Sequence, residues 1–117
     1  MPNAEPFRIA AVQAAPVFLD LEATLDKACG LIAEAARGGA RLVAFPEAFV
    51  SGYPVWVWFV PSGRTHALRA HHPRLHPSAI SIPGPPHDRL REAAASHGIA
   101  VTVGVNERNS EASDSTL

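Results

Sequence analysis

One carboxylate stands out among the residues able to do chemistry. Glu47 lies two residues beyond an apolar stretch, Arg41–Phe45, directly behind Pro46 and ahead of Ala48, Phe49 and Val50. In open α/β sheets, strand ends and crossover loops form the crevice that receives ligands. A carboxyl group there has few polar neighbours in sequence. Once buried, its charged form is disfavoured and its pKa rises, which suits a general base near neutral pH. A surface glutamate at a strand end has the same local sequence, and spacing alone does not separate the two.

The other chemically capable residues point less far. Six histidines are present, and His72 and His76 have the i, i+4 spacing that zinc ligands use on a helix. Pro73 sits between them and no carboxylate accompanies them, so solvated side chains are the expectation. Lys27 and Cys29 fall in a helical stretch, with Cys29 on the side of Leu25 and Ala36, where it reads as a packing residue rather than a nucleophile. Tyr53, Trp56, Trp58 and Phe59 cluster just after Glu47. For Trp58 and Phe59 a core or subunit contact is expected, since exposed apolar loops of this kind mark interfaces.

Elements able to hold Glu47 in place are readable on either side of it. FRIAAVQAA, Phe7–Ala15, is apolar on both alternating faces and predicts a strand buried on both sides. Asp20 to Arg37 predicts a helix, capped by Asp20, with Leu21, Leu25, Ala28, Ile32 and Ala35 as its apolar stripe. Gly38–Gly39 ends it; phosphate-binding glycines precede a helix, so a dinucleotide site is excluded there. Arg41–Phe45 predicts a second strand, stopped by Pro46. A short helix is expected after Ser62, broken or kinked at Pro73 and Pro77, and SIPGPP is a rigid loop. Asp88–His97 predicts another helix with Gly98 as C-cap, and Ile99–Val105 a third strand with one branched and one small face. NERNSEASDS reads as a polar turn.

Composition narrows the function classes. The 117 residues suit one domain, and 47% apolar with 18% charged residues is a globular balance. Ten basic and eleven acidic side chains leave a formal charge of −1, which excludes a phosphate-neutralising nucleic-acid binder. One cysteine excludes an internal disulfide framework and fits a reducing cytoplasm. MPNAEPFR lacks the order of a signal peptide, and no apolar run has the length of a bilayer span. A cytoplasmic protein without membrane partners is the expectation.

The segment AFPEAFVSGYPVWVW, Ala44–Trp58, resembles the glutamate motif of the nitrilase (carbon–nitrogen hydrolase) superfamily, and GYPVWVW resembles its nitrilase branch. The resemblance extends through FRIAAVQAAPVFLD, GARLVAFPE, SIPGPP and VTVGVNERN. It implies an α/β fold, the N-terminal part of a four-layer αββα sandwich, and a Glu–Lys–Cys triad in which Glu47 is the general base. It implies a nitrile substrate, Tyr53 in contact with it and Trp56 behind, no cofactor or metal, and a homo-oligomeric full-length protein. The family's lysine and cysteine follow its glutamate, whereas no lysine or cysteine follows residue 29 in this sequence. Residues 1–117 therefore read as a partial domain, cut before the catalytic Lys and Cys and inactive by itself. An amidase, a cyanide-degrading relative or a non-catalytic product acting by association are the alternatives.

Overall fold

Asp20 starts the longest helix. In a computed structural model, which describes residues 4–109, the Asp20 carboxylate accepts a hydrogen bond from the Ala23 amide at 3.0 Å. Such a cap satisfies an amide with no partner in the first turn and contributes about 1 kcal/mol. The helix, α1, runs Leu21–Arg37. Its buried stripe is Thr24, Leu25, Ala28 and Ile32, with Leu21 and Ala35 half-buried at its margins. The residue that takes the left-handed turn after it is Gly39, at φ +84°.

Helix α1 connects β1, Arg8–Ala11, to β2, Ala40–Ala44, and β3, Ala100–Thr102, lies on the far side of β2. All neighbours are parallel, and Ala10, Val43 and Val101 stand in register across the sheet. Between β2 and β3 come α2, Trp56–Phe59, α3, Thr65–Leu75, a 3₁₀ turn at His76–Ser78, and α4, Pro85–His97. Helices α1 and α4 pack together over one face of the sheet, and Leu25, Ile32, Val43, Leu90 and Ile99 share their core. Ala10 and Val101 join that core from the same face.

The opposite face departs from the sequence expectation. Phe7 and Ile9 are 54% and 55% exposed, so β1 is buried on one side only. Apolar character on both faces marks a strand built for two covering layers, and the described residues provide one. Among them the α/β architecture is a sheet with helices on a single face; the four-layer sandwich is not reached. Ile99, Val101, Val103 and Val105 turn towards the core and Ala100 and Thr102 away from it, as the two unlike faces of the strand require.

Three further differences have local causes. Helix α3 runs through Pro73 to Leu75 rather than breaking there. Both Pro73 and Arg69, whose carbonyl loses its usual partner, are exposed residues, where a missing helix bond costs less than in a core. Helix α4 begins at Pro85, not Asp88, because proline in the first turn gives up no hydrogen bond. Asn106–Arg108, placed by the sequence in a polar turn, instead run beside Ile80. The Ile80 amide donates to Asn106 O at 2.9 Å and the Arg108 amide to Ile80 O at 2.7 Å. The rest of that turn, beyond Asn109, lies outside the described residues. No helix among the described residues is long and apolar enough to cross a membrane.

Candidate active site

Glu47 stands on a loop extruded from the sheet. The Phe45 amide donates to Thr102 O at 2.8 Å, and the next ladder bond on that side is from the Val50 amide to Gly104 O at 3.1 Å. Between them the chain takes five steps while its partner takes two, so Pro46–Phe49 bulge out of the ladder. Pro46 has no amide hydrogen and leaves none unpaired by departing. Ala48 adopts φ +48°, a left-handed conformation uncommon outside glycine, and its carbonyl accepts from the Gly52 amide at 2.9 Å. Phe49 is buried and meets Phe45 with ring centroids 5.0 Å apart, which pins the root of the bulge to the core.

This arrangement puts Glu47 at the carboxyl end of the sheet, where α/β sheets gather ligands. It does not bury it. Ala48, Phe49 and Val50 turn inward and leave the Glu47 side chain exposed, so the apolar walls inferred from its flanking residues are not around it. The closest approach is from the third strand. The Gly104 backbone passes so near that a Cβ there would lie 2.8 Å from Glu47 Cα.

The aromatic residues fall into two groups. Trp56 is half-buried, edge-on to Phe18 at 6.2 Å and 5.3 Å from the His71 ring, while Tyr53 is exposed. A groove of about 350 Å³ runs beside them, lined by Pro54, Trp56, Val57, Leu68 and Leu75 among others, but not by Glu47. Trp58 and Phe59 are 74% and 81% exposed, so they take no part in the core of the described residues. The loop that carries Tyr53 and the bulge that carries Glu47 share one anchor. The buried Asn106 donates from its side-chain amide to Gly52 O at 2.9 Å, and its backbone amide donates to Val50 O at 2.8 Å.

Sequence reasoning missed Gly104, Asn106 and Phe18. Gly104 was visible only as one member of a small-residue face, and Asn106 only as part of a polar run. The signal that could have found Asn106 is its position directly after an apolar strand, where a buried amide ties neighbouring loops together.

Cys29 is half-buried on α1. Burial pushes its thiol pKa up, Arg89 pulls it down, and Asp26 adds to the rise. A thiol held in its protonated form is the opposite of an activated nucleophile. Lys27 is exposed on the same helix. His72 and His76 are 6.1 Å apart by ring centroids, and among the described residues no group of three or more His, Cys, Asp or Glu could hold a metal ion.

Residues 8–116 match the carbon–nitrogen hydrolase family. The chain belongs to that family. It is 44% identical over 103 residues to an aliphatic nitrilase of Rhodococcus rhodochrous, which covers 88% of this chain and 28% of that protein. It is 46% identical over 104 residues to a bifunctional nitrilase/nitrile hydratase of Nicotiana tabacum, covering 87% of this chain and 30% of the relative. An arylacetonitrilase of Aspergillus oryzae is 39% identical over 106 residues, again 30% of its own length. The chain thus spans less than a third of the curated carbon–nitrogen hydrolases it resembles. The family membership agrees with the motif around Glu47, which falls inside the matched residues.

Proposed function

We propose that this chain supplies the general base of a nitrilase, an enzyme that converts a nitrile and two waters to a carboxylic acid and ammonia. One observation carries the reading. Glu47 is the carboxylate displayed at the carboxyl end of β2, on a bulge fastened on both sides by the Phe45 and Val50 ladder bonds. The printed names of the relatives above, an aliphatic nitrilase, an arylacetonitrilase and a bifunctional nitrilase/nitrile hydratase, support this reaction.

In this reading Glu47 takes the proton of a cysteine thiol. The thiolate adds to the nitrile carbon and forms a thioimidate. Water adds to that carbon, ammonia leaves with the nitrogen, and a second water releases the acid from the thioester. A lysine ammonium stabilises the negative charge that develops in the tetrahedral steps. Lys27 and Cys29 do not fill these roles: both lie on α1, ahead of Glu47, and the Cys29 thiol is held protonated. Residues 1–117 form a partial domain in this reading and are inactive without a thiol and a lysine from elsewhere. Tyr53 contacts the substrate, and Trp56, braced by Phe18 and His71, backs it. The remaining walls of the pocket come from outside these residues, because Glu47 is open to solvent within them. Exposed Trp58 and Phe59 suit a contact between copies in an oligomer, and the free Cys29 thiol suits a cytoplasmic location.

Assay of a full-length protein carrying this segment tests the reading, with nitrile, amide and cyanide as separate substrates. Nitrile turnover is expected to dominate, and Glu47→Gln to lower kcat by about 10²–10⁴-fold, the usual contribution of a general base. Undiminished turnover in that variant excludes Glu47 as the base. Faster turnover of amide or cyanide moves the protein to another branch of the family. Residues 1–117 alone are expected to show no nitrile hydrolysis.

A further inference from the structure

Gly104 is the residue whose chemistry its own strand does not explain. Val103 and Val105 on either side carry branched side chains, and Gly104 is not among the glycines with positive φ. A left-handed backbone is therefore not the reason for a glycine here. Close approach is. A Cβ on Gly104 would lie 2.4 Å from Ala48 N, 2.8 Å from Glu47 Cα and 2.9 Å from Glu47 C. All three are backbone atoms, so no change of rotamer relieves the overlap.

The bulge also has few ways to move. Phe45 is bonded to Thr102 on one side and Val50 to Gly104 on the other, and Phe49 is locked in the core. With both feet fixed, the part free to yield is the Glu47–Ala48 peptide. Relief to a normal contact of about 3.5 Å needs a shift on the order of 1 Å. Ala48 already sits at φ +48°, so the displaced backbone starts from a conformation that an L-residue adopts reluctantly.

We infer that Gly104 is a positioning residue for Glu47: the missing side chain lets the bulge seat against the third strand and sets where the carboxylate stands. The inference rests on Glu47 being the base. Its mechanism is geometric, since a misplacement of about 1 Å in a reacting group costs on the order of 100-fold in rate.

The test compares Glu47→Gln, Gly104→Ala and the double variant Gly104→Ala/Ala48→Gly in a full-length enzyme carrying this segment. Circular dichroism checks folding, and kcat and KM are measured on one nitrile. For Gly104→Ala the expected result is a folded protein with kcat down about 100-fold and KM within about threefold. Ala48→Gly removes the left-handed penalty and lets the bulge re-seat, so the double variant is expected to recover about tenfold in kcat over the single one. Full turnover in Glu47→Gln overturns the base reading and this inference together. Loss in Glu47→Gln with kcat of Gly104→Ala unchanged overturns the inference alone. So does a kcat loss that the second substitution does not relieve, or failure of both Gly104 variants to fold, since Gly104 would then serve the fold and not the carboxylate.

Discussion

Phe18 lies across Gly52. A Cβ on that glycine would sit 2.4 Å from Phe18 Cδ2, and the glycine backbone is at φ +122°, where L-residues are strained. The contact joins the loop before α1 to the loop after the Glu47 bulge, and a backbone bond from the Leu19 amide to Ser51 O at 2.9 Å runs beside it. The two constraints on Gly52 differ in kind. The Phe18 ring is half-exposed and can swing aside, whereas φ cannot change without moving Ser51 and Asn106's partner carbonyl.

Gly52→Ala is therefore expected to destabilise the protein by about 1–3 kcal/mol, the usual cost of a sparsely populated backbone conformation. The loss should persist when the ring is removed. Urea midpoints of Gly52→Ala and of Phe18→Ala/Gly52→Ala, each against its own parent, measure this at constant m. A double variant as stable as Phe18→Ala would show that the ring, not the backbone, demands the glycine.

Cys29 gives a pH-dependent readout. Burial raises its thiol pKa in the folded protein above the value in the unfolded chain. The folded state then holds the proton more tightly. The stability from this group is complete below the unfolded thiol pKa and is lost as pH rises through the higher folded value. Alkylation by iodoacetamide followed from pH 7 to 10 should show a midpoint above that of the urea-unfolded chain. A midpoint at or below the unfolded one would make Cys29 an activated thiol after all. Cys29→Ser should flatten the alkaline decline in stability.

The exposed apolar surface predicts association. Trp58 and Phe59 are 74% and 81% exposed, and Ile9 on the uncovered sheet face is 55% exposed. Residues 1–117 in isolation are expected to be marginally stable and to self-associate with rising concentration in sedimentation equilibrium. Trp58→Ser/Phe59→Ser should raise the midpoint concentration about tenfold or more, given about 1.5–3 kcal/mol for each large side chain buried. A monomer at all concentrations with a sharp, cooperative melt speaks against this.

What could be read from the sequence was what local physics decides. Asp20 and Gly98 bracket α1 and α4 at the ends where a capping carboxylate and a left-handed glycine belong, and both act there. The second strand was likewise legible, because Pro46 cannot continue its ladder. Tertiary relationships were not. The flanking residues of Glu47 are apolar whether the loop turns the carboxylate inward or outward, so its exposure could not be read from them. Pro73 depends on whether a carbonyl one turn earlier reaches water. Gly104 resembles any small strand residue until the loop it faces is placed. Asn106 looked like turn material because a buried amide and a solvated one have the same letter.

The end of β3 and the segment after it moor both loops by bonds at fixed intervals: Thr102 to Phe45, Gly104 to Val50, Asn106 to Val50 and Gly52. The last of these comes from the Asn106 side chain and the rest are backbone bonds, so Asn106 is tied to its identity, as Gly104 is by the lack of room for a Cβ. Unless a bulge takes it up, an added or deleted residue between 102 and 106 would slide every later attachment to the wrong partner and turn each following side chain to the other face. Spacing along this segment, as much as the identity of Gly104 and Asn106, keeps the two loops on their partners.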